Sequence, residues 1–165
     1  MLSLVDREWL HQLVGDWQII ADVAFADLLL IAGRNDGGFT NAAHCRPATA
    51  ATLFDDDVVG RPVVASINKV ATLVMEDGIQ REVDFEGRFS TLRPVRYLGR
   101  IIAVLSVVTA YEPDVVPSQM HENYEQVAGT LLHMVTTGEF PFENIPTGVR
   151  HGTPRLTDGF VQIDE

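Results

Sequence analysis

The stretch 39-FTNAAHCRPAT-49 sets His44, the lone cysteine Cys45 and Arg46 side by side. A thiol enzyme, a metal site and a plain strand can all contain such a run. In a strand, successive side chains point to opposite faces. Phe39, Asn41, Ala43 and Cys45 then share one face, and Thr40, Ala42, His44 and Arg46 share the other. His44 and Cys45 point apart, so a thiolate–imidazole dyad or a shared metal ion is not expected. Cys45 reads as a small core residue beside Ala43 and Phe39. His44 and Arg46 are the side chains to examine for a polar ligand.

The remaining titratable groups carry weaker signals. His11, His121, His133 and His151 have no histidine or cysteine partner at metal-ligand spacing. His121 and Glu125 stand four apart on a predicted helix and read as a surface pair. The acidic triplet 55-DDD-57 lacks the spaced oxygen donors and glycine of a calcium loop. No glycine pattern fits a phosphate-binding loop or a dinucleotide fingerprint, and no serine sits in a nucleophile elbow. No catalytic residue and no metal ligand is assigned. A small redox enzyme using Cys45 is disfavoured by the single cysteine of the chain. Arg81, Arg88, Arg93, Arg96 and Arg100 cluster within a fifth of the length. Most of them are expected to be strand residues facing solvent.

Composition narrows the classes. Twelve Lys and Arg against 23 Asp and Glu give a formal charge of −11. That balance argues against a nucleic-acid surface, which needs a basic footprint. At 165 residues, 46% hydrophobic and 21% charged, the chain suits one globular domain with a real core. No apolar run reaches the roughly 18 residues of a membrane span. The start 1-MLSLVDREW-9 has no signal-peptide pattern, so a cytoplasmic setting is the expectation.

The elements follow from periodicity. Ser3 with Asp6 resembles a capping box. From Trp9 to Ala24, apolar residues recur at three- and four-residue steps, which predicts one helix. Gly15 inside it suggests a close packing partner. A hairpin is predicted from 27-DLLLIAGR-34 and 39-FTNAAHCRP-47 around the turn 35-NDGG-38. The stretch 48–62 reads as a long loop of the binding or lid kind. Val63 to Val74 predicts a short helix ending near Asp77-Gly78. The segment 81–98 is strand-like with interruptions at Gly87 and Pro94. The turn 98-LG-99 leads into the apolar strand 100-RIIAVLSVVTAY-111. A last helix is predicted over 117–137, with Met120, Tyr124, Val127, Leu131, Met134 and Val135 as its apolar face and Gly138 past its end. The fold class is α+β: a mostly antiparallel sheet with the terminal helices packed on one face.

Four segments together resemble a known family: 13-LVGDWQIIADVAFADLLL-30, 45-CRP-47, 93-RPVRYLGRIIAVL-105 and 131-LLHMVTTGEFP-141. They are similar to the N-terminal domain of soluble actinobacterial sensor histidine kinases of the PdtaS type. The resemblance implies a GAF-like fold over 1–138, a linker over 139–156, and at 157–165 the opening strand of a following PAS domain. It implies a sensory role upstream of a kinase core in the same polypeptide, with a response regulator as the downstream partner. It also implies a homodimer in which Trp9, Trp17, Tyr124 and Leu131 pack between terminal helices. A small-molecule signal is expected, with no cofactor assigned. A ligand-free dimerisation scaffold of the same fold is the alternative. The run of small residues Ala42, Ala43, Ala48, Ala50 and Ala51 suits either a cavity or tight packing.

Overall fold

A computed structural model of the chain describes residues 2–110 and 118–141. The predicted linker and the following segment lie outside this range, apart from residues 139–141. Described in chain order are α1 (Leu4–Asp16), α2 (Gln18–Ala24), β1 (Asp27–Gly33), β2 (Phe39–Cys45), α3 (Ala65–Asp77), β3 (Arg81–Phe85), β4 (Arg88–Tyr97), β5 (Arg100–Ala110) and α4 (Gln119–Thr137). The strands form one sheet in the order β2-β1-β5-β4-β3, and every neighbouring pair is antiparallel. This is the expected α+β arrangement.

The N-terminal capping box is present. The Asp6 N–H donates to the Ser3 hydroxyl, and the Ser3 N–H donates to Asp6 Oδ2 at 2.8 Å. The backbone N–H and hydroxyl of Ser3, with Arg100, hold the Asp6 carboxyl below the ordinary carboxylate range. The predicted first helix is broken in two. Trp17 separates α1 from α2, and Phe25 closes α2 in the left-handed region at φ 50°. The break lets both short helices lay an apolar edge on the sheet. Gly15 has no close partner after all; a Cβ there would meet nothing within 4 Å.

Alternation places the sheet residues on two faces. Leu28 and Leu30 of β1, with Leu105 and Val107 of β5, meet α1, α2 and α4 through Leu13, Ile20 and Val135. Each fully buried Leu, Ile or Val contributes about 1.5–3 kcal/mol. Ile31, Leu92 and Val104 face the other way and pack under Ile67, Ala71 and Val74 of α3.

Two irregularities depart from the sequence reading. A bulge in the β1–β2 pairing leaves Ala42 unmatched, because Leu30 pairs with Ala43 and Ile31 with Asn41. The extra residue reverses the phase of the strand. Phe39, Asn41 and His44 therefore share the α3 face, while Ala43 and Cys45 join the helical core. Pro94 does not interrupt β4. The β3 pairing ends at Leu92, so the proline lies where β4 has lost that neighbour and needs no N–H on that side. The hairpin turn at Gly87 does divide the segment.

The arginine cluster is not simply a solvated face. Arg96 Nη1 donates to the Thr136 carbonyl at 2.9 Å and Nη2 to the Gly78 carbonyl at 3.3 Å. It thus ties the C-terminal ends of α3 and α4 together. Gly78 and Gly138, at φ 71° and 85°, cap those helices, and a Cβ on either would run into Arg96. Arg100 reaches the buried Asp6 at 2.7 Å. Arg81 pairs with Asp77 and pulls that carboxyl down to about 2. On α4 the buried positions are Ala128, Leu132 and Val135, whereas Met120 is 65% exposed, so the apolar face is rotated from the one read in the sequence.

Candidate functional site

On the α3 face the sheet is not fully covered by the helix. Beside α3 lies a cavity of about 320 Å³, at the low end of the roughly 300–1,000 Å³ typical of small-molecule sites. Its floor is Leu29 and Ile31 of β1, Asn41 of β2 and Ser106 of β5. Val64 and Ile67 approach from the start of α3, and Phe85 and Arg88 from the β3–β4 hairpin. The loop between β2 and α3 closes it with Phe54, Val58, Arg61 and Val63. This is the loop that the sequence marks as a binding or lid segment.

Alternation brings the polar groups here. Ser106 is the one polar residue in 101-IIAVLSVV-108, and its Oγ lies 2.7 Å from Ser90 Oγ on β4, both fully buried. Asn41 is 8% exposed, and its Oδ1 is buried with no hydrogen-bond partner. At the rim, Arg88 Nε donates to the Leu53 carbonyl at 3.0 Å and Nη1 to Glu86 at 2.9 Å. The guanidinium sits 4.9 Å from the Phe54 ring centroid and 5.9 Å from that of Phe85. Arg88 thus fastens loop, hairpin and both rings at one point.

The loop is anchored by two buried aspartates. Asp27, at the start of β1, is 1% exposed. Its carboxylate accepts from the Thr52 hydroxyl at 2.7 Å, the Leu53 N–H at 2.7 Å and His44 Nε2 at 2.8 Å. Burial pushes this carboxyl up, but hydrogen bonds from His44, Leu53 and Thr52 outweigh it and hold the group below the usual range. Asp22, on α2, accepts from the Ala48 N–H at 2.8 Å and from Gln18 at 2.9 Å. The Asp22 carbonyl takes the Thr49 hydroxyl at 2.6 Å. Gln18 also donates to the Arg46 carbonyl at 3.0 Å, and the Cys45 thiol to Gln18 Oε1 at 3.3 Å. The loop whose later residues wall the cavity is therefore bonded, at its start, to a helix of the other face.

These contacts locate the residues singled out in the sequence. His44 faces the cavity side, but it is held by Asp27 and covered edge-on by Phe54, with centroids 5.1 Å apart. Arg46 is exposed past the end of β2. Neither is among the lining residues, and neither is any alanine of the small-residue run. Trp9 and Trp17 are buried in the helical core, where Trp9 stacks on Tyr97 at 4.5 Å. Leu131 packs against that core, and Tyr124 meets Phe25 edge-on. Among the described residues, no three of His, Cys, Asp and Glu gather to hold a metal ion. No described helix is long and apolar enough to cross a membrane. Sequence reasoning missed Asn41 and Ser106; a lone serine in the most apolar run was the available signal.

The family model described as the GAF domain of the histidine kinase PdtaS matches residues 1–128. This chain belongs to the PdtaS GAF-domain family. It is 36% identical over 173 aligned positions to the sensor histidine kinase PdtaS of Mycolicibacterium smegmatis, covering 99% of this chain and 34% of that protein. Against PdtaS of Mycobacterium tuberculosis the identity is 31%, over 98% of this chain and 34% of the relative. The chain thus spans about a third of the length of these PdtaS proteins. A solved structure described as the sensor region of a sensor histidine kinase superposes with a TM-score of 0.79 at 29% identity, covering 99% of this chain and 57% of that one. In PdtaS terms, the cavity and its loop lie within the GAF-domain match.

Proposed function

We propose that this chain is the sensory module of a sensor histidine kinase. A small molecule enters the cavity beside α3, changes the seat of the 46–64 loop, and thereby biases the helical layer on the opposite face. The observation that carries this reading is the bond set at Asp22. A loop that walls a cavity is hydrogen-bonded, through Ala48 and Thr49, to a helix across the sheet. A ligand shifts such an equilibrium only by binding the two arrangements unequally, and the loop supplies an element whose position can differ between them. The partners that accompany this role are a kinase core in the same polypeptide, a response regulator that receives the phosphoryl group, and a second copy of the chain.

A test needs no knowledge of the signal. Val63→Phe, from the loop side, places a ring in the cavity. In the kinase carrying this domain, it is expected to shift the autophosphorylation rate, and Asp22→Ala in the same protein, which removes the Ala48 bond but keeps that of Thr49 to the residue-22 carbonyl, is expected to reduce that shift. A folded Val63→Phe kinase whose rate equals the parent's would overturn the proposal.

A further inference from the structure

We infer that Phe25 is the positioning residue through which the seat of the 46–64 loop reaches α4. This route carries the signal proposed above and rests on that reading. Both loop anchors lie in one six-residue stretch, 22-DVAFAD-27. Asp22 holds the loop through the Ala48 N–H and the Thr49 hydroxyl. Asp27 holds it through the Thr52 hydroxyl and the Leu53 N–H. The end of α2 and the start of β1 therefore seat the loop together, and Phe25 lies between them.

Phe25 departs from a rule that α3 and α4 keep. The C-caps of α2, α3 and α4 are all left-handed. In α3 and α4 the position is glycine, Gly78 at φ 71° and Gly138 at φ 85°. In α2 it is Phe25, at φ 50° and ψ 38°, a conformation disfavoured for any residue with a Cβ. Contacts outside α2 help to keep it there. The Phe25 ring stacks on His121 with centroids 4.9 Å apart and planes at 17°, and it meets Tyr124 edge-on at 5.9 Å. The first turns of α4 thus brace the strained cap, and the cap braces them.

Such a cap has two discrete arrangements, because the right-handed and extended regions are separate basins that a phenylalanine enters more readily. The loop bonds at Asp22 and Asp27 fix the backbone on either side of Phe25. The ring contacts fix its side chain against α4. Loosening either set favours relaxation of the cap and so weakens the other, and the coupling is reciprocal. Arg96 gives α3 a separate contact with α4, at the Thr136 carbonyl. That contact lies at the opposite end of α4 from His121 and Tyr124, so the two routes can be read apart.

Hydrogen exchange at the α4 amides from Glu122 to Ala128 tests the Phe25 route. Val63→Phe, which fills the cavity, is expected to change exchange there by about fivefold or more, the low end of coupling between sites. Phe25→Gly keeps a left-handed cap but has neither strain nor ring. In that background Val63→Phe should leave those amides unchanged while the 46–64 loop still responds. Phe25→Tyr keeps the ring and should preserve the α4 response. A merely structural cap would leave the response intact in all three backgrounds. If Phe25→Gly does not fold, the His121 ring-proton shifts decide, compared at matched pH between the parent chain and Val63→Phe. Displacement of the Phe25 ring moves them, and identical shifts overturn the proposal. It is also overturned by a response at Glu122–Ala128 that survives Phe25→Gly, by one confined to the Thr136 end of α4, or by no α4 response in the parent background. The autophosphorylation shift of Val63→Phe is a separate readout. A kinase shift with a Phe25-independent α4 response removes this route and leaves the sensory role standing. A Phe25-dependent response without a kinase shift does the reverse.

Discussion

On the helical face, Leu13, Ile20, Leu28, Leu105 and Val135 are sealed between the sheet and α1, α2 and α4. On the opposite face, α3 covers Ile31, Phe39, Leu92 and Val104, and a loop without regular structure lies over Leu29 and Val108. One face is closed by helices whose side chains interlock. The other is closed by backbone hydrogen bonds to two aspartates, and a cavity remains beneath it. A close-packed layer transmits displacement because it has no free volume to absorb it. A layer held by a few polar contacts can take a guest. The sheet between them has a face for each task, and Asp22 bonds one layer to the other.

Substitutions can break this contrast. The largest effect is expected for Leu13→Ala in the helical layer, about 2–5 kcal/mol lost in a urea melt. Val63→Ala, on the cavity wall, should cost under about 1 kcal/mol, because its side chain faces space on one side. Equal losses would mean that the two faces are packed alike.

Asp27→Asn comes next, about 1.5–3 kcal/mol at pH 7, since one carboxylate serves His44, Thr52 and Leu53. The pH dependence sharpens this. The folded carboxyl lies below its unfolded value of about 3.9, so its stabilisation is complete above that pH and is lost as pH falls through the folded value. In Asp27→Asn that part of the acid limb should flatten when melts are compared from pH 5 downward.

Ala21→Leu forces a larger side chain into the helical layer and should cost about 1–3 kcal/mol, whereas Val58→Leu in the loop should stay within about 0.5 kcal/mol. Thermal melts of the two decide whether free volume lies only on the cavity side. The smallest effect is a gain. Gly15→Ala, exposed and with nothing within 4 Å of the new Cβ, should stabilise α1 by about 0.5–1 kcal/mol.

Legibility in the sequence divided along the same lines. The helical layer could be read from periodicity, because Trp9, Leu13, Trp17 and Ile20 repeat at helical steps and their burial obeys that repeat. The strands and the antiparallel sheet followed from the turns at Asn35–Gly38 and Leu98-Gly99. The kink at Trp17 was invisible, since an apolar stripe runs through it unbroken. The cavity face was hidden by one residue. With two consecutive alanines at 42 and 43, nothing in the alternation announces a bulge, and the bulge reverses which residues accompany Asn41. Arg96 read as a solvated strand residue because its two acceptors are carbonyls 40 and 18 positions away. The loop was recognised as a loop, but its attachment to Asp22 and Asp27 is a long-range pairing that composition does not carry.

Hydrogen exchange of the parent chain against Val63→Phe, read at the amides of Gln18–Ala24, bears most directly on the link between the two faces. The account predicts that filling the cavity alters protection both in the 46–64 loop and in α2, and that the α2 change shrinks when Asp22→Ala removes the Ala48 bond. A change confined to the loop and α3, with α2 exchanging as in the parent, would contradict it.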